Sequence, residues 1–208
     1  MKQKAFIFSA SIALSSMMPA FLASAQAQKA PNAEARQATA IFAGGCFWCM
    51  EPPFDALDGV ISTTSGYTSG TKLNPTYAEV SAGKTGHTEA LKIVYDPSKI
   101  SYEKLLDVFW RNHDPLTLNA QFCDRGSQYR AGIYYGNAAE KRVAEATKTA
   151  IEKSGRFKQP VVTEIVAATT FYPAEEFHQD YYIKNPVRYK YYSTSCGRAK
   201  RLNELWGK

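Results

Sequence analysis

Short apolar segments alternate along the chain with loops rich in Gly, Pro and Asn, a pattern typical of a domain built from strands and helices. Apolar side chains recur at a helical period between residues 101 and 114, and Ser101 precedes them as an N-cap. Asn137, with Glu140 three residues later, predicts a second helix that runs to Lys153 and ends at Gly155. Five segments are predicted to be strands: TAIFAGG, DGVISTTSGY, HTEALKIVY, AGIYY and VVTEIVAAT.

The order of these elements indicates the fold class. Strands and helices mix without a strict strand–helix–strand alternation, which favours an α+β two-layer domain over a doubly wound sheet. A further short helix is predicted near AEEFHQDYYIK. The tail from about residue 185 has no clear period until its end, so it is predicted to be irregular.

The first 27 residues have the three parts of a secretory signal. Lys2 and Lys4 come first, an apolar run follows, and small residues allow cleavage after Ala25 or Ala27. A membrane anchor is the alternative, but it needs about 20 strongly apolar residues and serines interrupt this run. We therefore predict a signal peptide at 1–27, a polar linker at 28–38 and one catalytic domain at 39–208. The mature protein would be periplasmic or secreted, without stable membrane association.

Composition fits an ordinary globular protein, with 45% hydrophobic and 21% charged residues among 208. The formal net charge is +6, and the segment 184–208 holds seven Lys or Arg against one Glu. A basic tail can contact nucleic acid, but no nucleic-acid motif accompanies it. A solvated surface is the better interpretation, and we expect no nucleic-acid partner.

Two cysteines, Cys46 and Cys49, stand three residues apart in the stretch AGGCFWCMEPPF. A turn between a strand and a helix can lower the pKa of a thiol, so Cys46 is a candidate nucleophile with Cys49 within reach. A structural disulfide between them would close too small a loop to stabilise much. Zinc would need a second pair of ligands, and Cys123 and Cys196 stand far apart in sequence. Either the turn is short and a new helix begins at the following prolines, or one helix is distorted there.

Other polar residues suit proton transfer. If HTEALKIVY is a strand, Glu89 shares a face with apolar residues, and burial would raise the pKa of its carboxyl group. A Glu at the edge of the strand that reaches solvent is an equally good interpretation. Two loops contribute Tyr77, Asp124 and Tyr129, whose hydroxyl groups and carboxylate can hydrogen-bond to a ligand.

An ordered series of motifs resembles the A class of peptide methionine sulfoxide reductases over nearly all of residues 40–206. The resemblance implies a two-layer plait with a mixed β-sheet flanked by helices. It also implies that Cys46 attacks the sulfoxide sulfur, Glu89 donates a proton, and a Cys46 sulfenic acid then forms a disulfide. The motifs are GCFWC, GYTSG, NPTY, GHTEA, YDP, FWRNHDP, DRGSQYR, FYPAEEFHQDY and CGRAKRLNELWG.

The resemblance assigns the remaining site residues. It implies that Tyr77 and Tyr129 bind the oxygen, that Asp124 supports the site, and that Phe47 and Trp48 hold the substrate methyl group. His178 lies in a recurring segment of the family but receives no firm role. Free methionine sulfoxide and oxidised proteins would be substrates of a monomer that uses a thioredoxin-like dithiol and neither a metal nor a cofactor.

The sequence does not decide which cysteine reduces the oxidised Cys46. Cys49 or Cys196 can resolve Cys46, or a disulfide can pass between them, and we favour involvement of both, with Cys123 as a bystander. Two other functions are compatible with parts of the sequence. One is a thiol–disulfide oxidoreductase that uses Cys46 and Cys49, and the other is a secreted module that binds metal or nucleic acid.

Overall fold

A computed structural model describes residues 37–207, and the predicted signal peptide and most of the predicted linker lie outside this range. Within it, six strands form one sheet in the order β7-β6-β1-β3-β2-β8, and β4 and β5 form a separate hairpin. All neighbours in the large sheet are antiparallel except β6 and β7, so the sheet is mixed as predicted. The strands are β1 Ala38–Ala43, β2 Val60–Thr68, β3 Thr88–Tyr95, β4 Ala120–Gln121, β5 Asp124–Arg125, β6 Gly132–Tyr135, β7 Glu164–Ala167 and β8 Tyr172–Pro173.

The helices flank this sheet, which confirms the predicted α+β architecture. Three short 3₁₀ turns lie at Phe47–Cys49, Ser127–Tyr129 and Glu176–His178. No helix in residues 37–207 is long and apolar enough to cross a membrane. The helices are α1 Glu51–Asp55, α2 Tyr77–Ser81, α3 Tyr102–Trp110, α4 Ala138–Lys153, α5 Tyr181–Lys184, α6 Pro186–Ser195 and α7 Arg198–Trp206.

The two long helices begin where their capping residues predict. Ser101 Oγ accepts the Lys104 backbone N–H at 3.2 Å and starts α3. The Asn137 side chain accepts two N–H groups of the first turn and starts α4. Each cap stabilises its helix by about 1 kcal/mol, because it satisfies backbone donors that have no partner within the helix.

One main core lies between the sheet and helices α1, α3 and α4. Phe42 of β1 stacks on Phe109 of α3 with ring centroids 4.9 Å apart, and Leu91 and Ile93 of β3 are fully buried beside them. Alternation along β3 places Glu89 on the same face as these apolar residues. The core therefore fixes the strand that carries the candidate proton donor.

The C-terminal tail corrects the sequence analysis, because it is helical rather than irregular. Helices α6 and α7 cover residues 186–195 and 198–206. No residue of α6 is fully buried, so this helix has no continuous apolar face for a periodicity search to find. Its inward side carries tyrosines instead, and these cover the cysteine motif.

Candidate active site

Cys46 lies at the end of a tight connection between β1 and α1. Gly45 has φ +86°, and a Cβ on it would lie 2.4 Å from the Gln121 Cβ, so only glycine fits. The Cys49 backbone N–H donates to the Cys46 carbonyl at 3.0 Å and closes the 3₁₀ turn. Because α1 starts at Glu51 with prolines at its beginning, the alternative of a short turn followed by a new helix is correct.

The sulfur atoms of Cys46 and Cys49 are buried neighbours, with 6% and 5% of these residues exposed. Burial raises the pKa of Cys46, and the hydrogen bond to Cys49 and the negative charge of Glu89 raise it further. The same hydrogen bond and the Arg198 charge lower the pKa of Cys49 to about 7. The expectation of a lowered pKa at Cys46 in the free protein is therefore wrong, because no α-helix begins at Cys46 and the site excludes water.

Glu89 lies directly beside the turn that carries Cys46. Its Oε2 accepts the Phe47 backbone N–H at 3.1 Å, and only 2% of the residue is exposed. Burial raises the pKa of Glu89 to about 8, although the Phe47 N–H opposes the shift. The alternative in which Glu89 reaches solvent is therefore wrong, and the carboxyl group holds its proton at neutral pH.

Tyr77 and Tyr129 come to the site from two different loops. Tyr77 is the first residue of α2, which Thr76 and Glu79 start with a capping box. Burial and the charge of Glu89 raise the pKa of Tyr77 to about 12, and the same causes raise the pKa of Tyr129. Both side chains therefore stay neutral and can donate a hydrogen bond to an oxygen.

Aromatic rings form the apolar side of the site around Trp48. Trp48 stacks on Tyr181 at 3.8 Å between centroids, and Phe47 lies 6.5 Å from Trp48. The Trp48 indole N–H donates to His178 Nδ1 at 3.0 Å. Burial lowers the pKa of His178, so the ring is neutral and carries its proton on Nε2. His178, which the motif alone left without a role, therefore fixes the orientation of Trp48.

Helix α6 of the C-terminal tail covers the site through its tyrosine side chains. Tyr192 of α6 contacts Trp48 edge-on at 5.8 Å, and its hydroxyl donates to Asp124 Oδ2 at 2.5 Å. The same hydroxyl opposes the rise in the pKa of the Cys46 thiol. Asp124 thus supports the site through Tyr192, a residue that the sequence analysis missed. Residues 189, 192 and 196 share a helical face, and this spacing was the available signal.

A disulfide joins Cys123 to Cys196, with the Cα atoms 4.9 Å apart. Cys46 and Cys49 are both free thiols in this structure. The sequence analysis did not predict this pairing, which forms because the loop that follows β4 places Cys123 against α6. With Asp124 these cysteines also form a group of potential metal ligands, but their sulfur atoms are bonded to each other.

Comparison with known proteins identifies the family. The family model of peptide methionine sulfoxide reductase matches residues 38–208. The chain belongs to the peptide methionine sulfoxide reductase family, in its A class. The peptide methionine sulfoxide reductase MsrA of Listeria monocytogenes serotype 4a is 52% identical over 167 residues, covering 80% of this chain and 94% of the relative. The MsrA of Bacillus subtilis is 51% identical over 168 residues, covering 81% and 95%.

Solved structures of this reductase family share the fold. Mxr1 from Saccharomyces cerevisiae in its reduced form matches with a TM-score of 0.68 and 33% identity, covering 74% of this chain and 88% of the yeast chain. Methionine sulfoxide reductase A of Corynebacterium diphtheriae matches with a TM-score of 0.65 and 32% identity, covering 73% and 76%. The chain is therefore a methionine sulfoxide reductase that uses a thiol reductant.

Proposed function

We propose that this reductase acts on methionine S-sulfoxide, with Cys46 as nucleophile and Glu89 as proton donor. The observation that carries this assignment is the contact between Glu89 and the backbone N–H that follows Cys46, in a site that excludes water. Tyr77 and Tyr129 hold the sulfoxide oxygen, while Phe47 and Trp48 hold the methyl group. Each polar group therefore faces the atom whose charge changes in the reaction.

The first step oxidises Cys46. Above pH about 7 the Cys46–Cys49 pair shares one proton, and its transfer to Cys49 makes the Cys46 thiolate. The thiolate attacks the sulfoxide sulfur, and Glu89 gives its proton to the oxide oxygen. Transfer of the resulting hydroxyl to the Cys46 sulfur breaks both the S–O bond and the new bond between the two sulfur atoms, and the methionine sulfur keeps an electron pair. Methionine leaves, and Cys46 remains as a sulfenic acid.

The second step assigns the resolving role to Cys49. Cys49 is free and hydrogen-bonded to Cys46, whereas Cys196 is already bonded to Cys123. The Cys49 sulfur attacks the Cys46 sulfenic sulfur, water leaves, and a Cys46–Cys49 disulfide forms. An external thioredoxin-like dithiol then reduces this disulfide and restores both thiols.

The separate epimers of an N-acetylated, C-amidated methionine sulfoxide test the activity directly. With a dithiol reductant present, we expect turnover of the S epimer and none of the R epimer. Turnover of neither epimer would refute the proposed function. A Cys46→Ser variant is the control, and it should reduce neither epimer.

Export of the protein is a further part of the proposal. The signal-like residues 1–27 support a periplasmic or secreted enzyme, and a disulfide between distant cysteines suits an oxidising compartment. Its substrates there would be oxidised proteins and free methionine sulfoxide, and the enzyme would act as a monomer. Cell fractionation with mass analysis of the mature N-terminus tests export, and light scattering on the purified protein tests the monomer.

A further inference from the structure

A second opening leads to the cysteine pair from the side of the tail helices. This cleft of about 470 Å³ lies between α6, α7 and the start of α1, and Cys49 is part of its wall. Phe47, Trp48 and Tyr77, which form the proposed substrate site, do not line it. The volume lies in the range of small-molecule sites. The cleft therefore gives Cys49 an approach that does not pass through the substrate site.

The cleft is positively charged. Arg198 and Lys200 line it, and its wall contains no Asp or Glu. Lys200 is exposed at the mouth, whereas Arg198 is 8% exposed and lies deep in the wall. An anion that enters the cleft meets both charges before it reaches Cys49.

The direct contacts of the Arg198 guanidinium are with neutral groups, although its charge also acts on Asp124 and Cys49. It donates to Met50 Sδ at 3.2 Å and to the Asn112 carbonyl, and it lies 4.5 Å from the Phe122 ring centroid. None of the ion pairs found within residues 37–207 involves Arg198. A buried charge is costly unless it is paired, and Asp124 acts on Arg198 without forming an ion pair with it. This guanidinium therefore favours an anion in the cleft.

We propose that this cleft binds a small anionic thiol and is the route by which that thiol attacks Cys49 in the oxidised enzyme. The inference rests on the proposed Cys46–Cys49 disulfide, and it adds a second class of reductant to the thioredoxin-like dithiol and names the sulfur that this second reductant attacks. A suitable ligand carries a carboxylate or sulfonate in addition to its thiolate. Cys46 is the poorer target for this thiol, since Cys46 does not line the cleft.

Reduction of the Cys46–Cys49 disulfide by this route consumes two equivalents of thiol. The first thiolate forms a bond to the Cys49 sulfur, the Cys46–Cys49 bond breaks, and Cys46 leaves as a thiolate with the electron pair. A second thiolate attacks the ligand sulfur of the mixed disulfide and releases Cys49 as a thiolate. The product is the external disulfide, and both cysteines have been reduced.

The surroundings of Cys49 suit its release. The Cys46 thiol, the Arg198 charge and the Tyr189 hydroxyl all lower the pKa of Cys49, whereas burial and the Asp124 charge raise it. A thiol of low pKa is the better leaving group in disulfide exchange. Cys49 can therefore leave the mixed disulfide without first taking up a proton.

Three thiols of different charge test the proposal on the complete protein without its predicted signal peptide. Diamide forms the Cys46–Cys49 disulfide without any sulfoxide, and the oxidised enzyme is then mixed with 2-mercaptoethanesulfonate, 2-mercaptoethanol or cysteamine. Samples are quenched with N-ethylmaleimide and analysed by mass spectrometry, and rates are compared per thiolate. At low ionic strength we expect the anionic thiol to react about fivefold faster than the cationic one, with the difference lost in 0.5 M salt.

Two lysine variants separate the cleft from the overall charge. Lys200→Glu reverses a charge at the mouth of the cleft, and we expect it to abolish the advantage of the anionic thiol. Lys190→Glu makes the same charge change on α6 away from the cleft wall, and we expect it to keep most of the advantage. Equal rates for the three thiols, or equal effects of the two variants, would overturn the proposal.

The position of the mixed disulfide completes the test. Fragmentation of the quenched peptide should place the ligand on Cys49. A ligand on Cys46 overturns this inference and leaves the proposed catalytic step intact. If diamide gives no Cys46–Cys49 disulfide, the resolving role of Cys49 and this inference both fail.

Discussion

Glu89 accepts the backbone N–H of Phe47 at 3.1 Å, although the two residues lie 42 positions apart in the chain. The contact joins the middle of the sheet to the turn that carries Cys46. It fixes the carboxyl group beside Cys46, the proposed nucleophile, through one of its two oxygen atoms. Replacement of Glu89 and the pH dependence of the reaction both test the role of this carboxyl group.

Replacement of Glu89 by Gln should remove the proton donor while it keeps the shape of the site. We expect kcat/KM for methionine sulfoxide to fall by about 10²- to 10⁴-fold, the usual contribution of a general acid. Reduction of the diamide-formed Cys46–Cys49 disulfide should change little, because no oxide oxygen is protonated in that reaction. Nearly intact reduction of methionine sulfoxide would show that Glu89 is not the proton donor, and equal large losses in both reactions would point to a disrupted site.

Glu51→Gln is the matched control for that variant. Glu51 is also buried, and burial raises its pKa to about 7, but it accepts a hydrogen bond from Ser65 at 3.0 Å and lies outside the proposed site. We expect kcat/KM to change less than threefold. A loss as large as that of Glu89→Gln would show that buried charge, rather than proton donation, controls activity.

The raised pKa of Glu89 sets a pH limit on the reaction. Only the protonated carboxyl group can donate, so kcat/KM should decline as pH rises through about 8. The shift also affects folding, because between pH about 4.5 and 8 only the folded state holds this proton. The free energy of unfolding should therefore fall with rising pH across this window. Urea denaturation at several pH values should show a weaker slope for Glu89→Gln than for the parent protein.

Much of the fold was predictable because local signals and core packing agree. Ser101 and Asn137 start their helices as expected, and the alternation along β3 placed Glu89 correctly. Helix α6 was missed because its inward face consists of polar-tipped tyrosines, which give no apolar period. Proximity in space is also not encoded locally, so the pairing of Cys123 with Cys196 and the place of Arg198 became visible only in the folded chain.

His178→Phe should leave Trp48 less firmly oriented in the proposed binding site for the substrate methyl group. The variant keeps an aromatic ring but removes the acceptor of the Trp48 indole N–H, which would then be buried without a partner. We expect KM for methionine sulfoxide to rise about tenfold, in line with a lost hydrogen bond of roughly 1–1.5 kcal/mol, and kcat to change less. His178→Gln can accept the same hydrogen bond through its amide oxygen and should restore most of the affinity. If both variants behave alike, His178 contributes only its volume.

The Cys123–Cys196 disulfide should stabilise the domain rather than take part in turnover. The disulfide links residues 73 positions apart, and loss of a cross-link of that span costs about 4 kcal/mol in the chain-entropy model. We expect a Cys123→Ser, Cys196→Ser double variant to unfold at lower denaturant concentration.

Thiol counting after one equivalent of sulfoxide tests the same double variant for turnover. The Cys46–Cys49 disulfide should still form in full, since both of its cysteines remain. Failure to form this disulfide would return Cys196 to the recycling pathway.

With the covalent link between the loop and α6, this chain carries a second cysteine couple besides the proposed couple of Cys46 and Cys49, and the surroundings of the two couples differ. Arg198 favours the thiolate of Cys49, and stabilisation of the reduced form makes a disulfide a stronger oxidant. A redox buffer poised between the two couples would turn over Cys46–Cys49 and leave Cys123–Cys196 oxidised. The reduction potential of the surroundings would then decide whether the enzyme works with its tail helices covalently bound to the loop through Cys123–Cys196 or with this disulfide reduced.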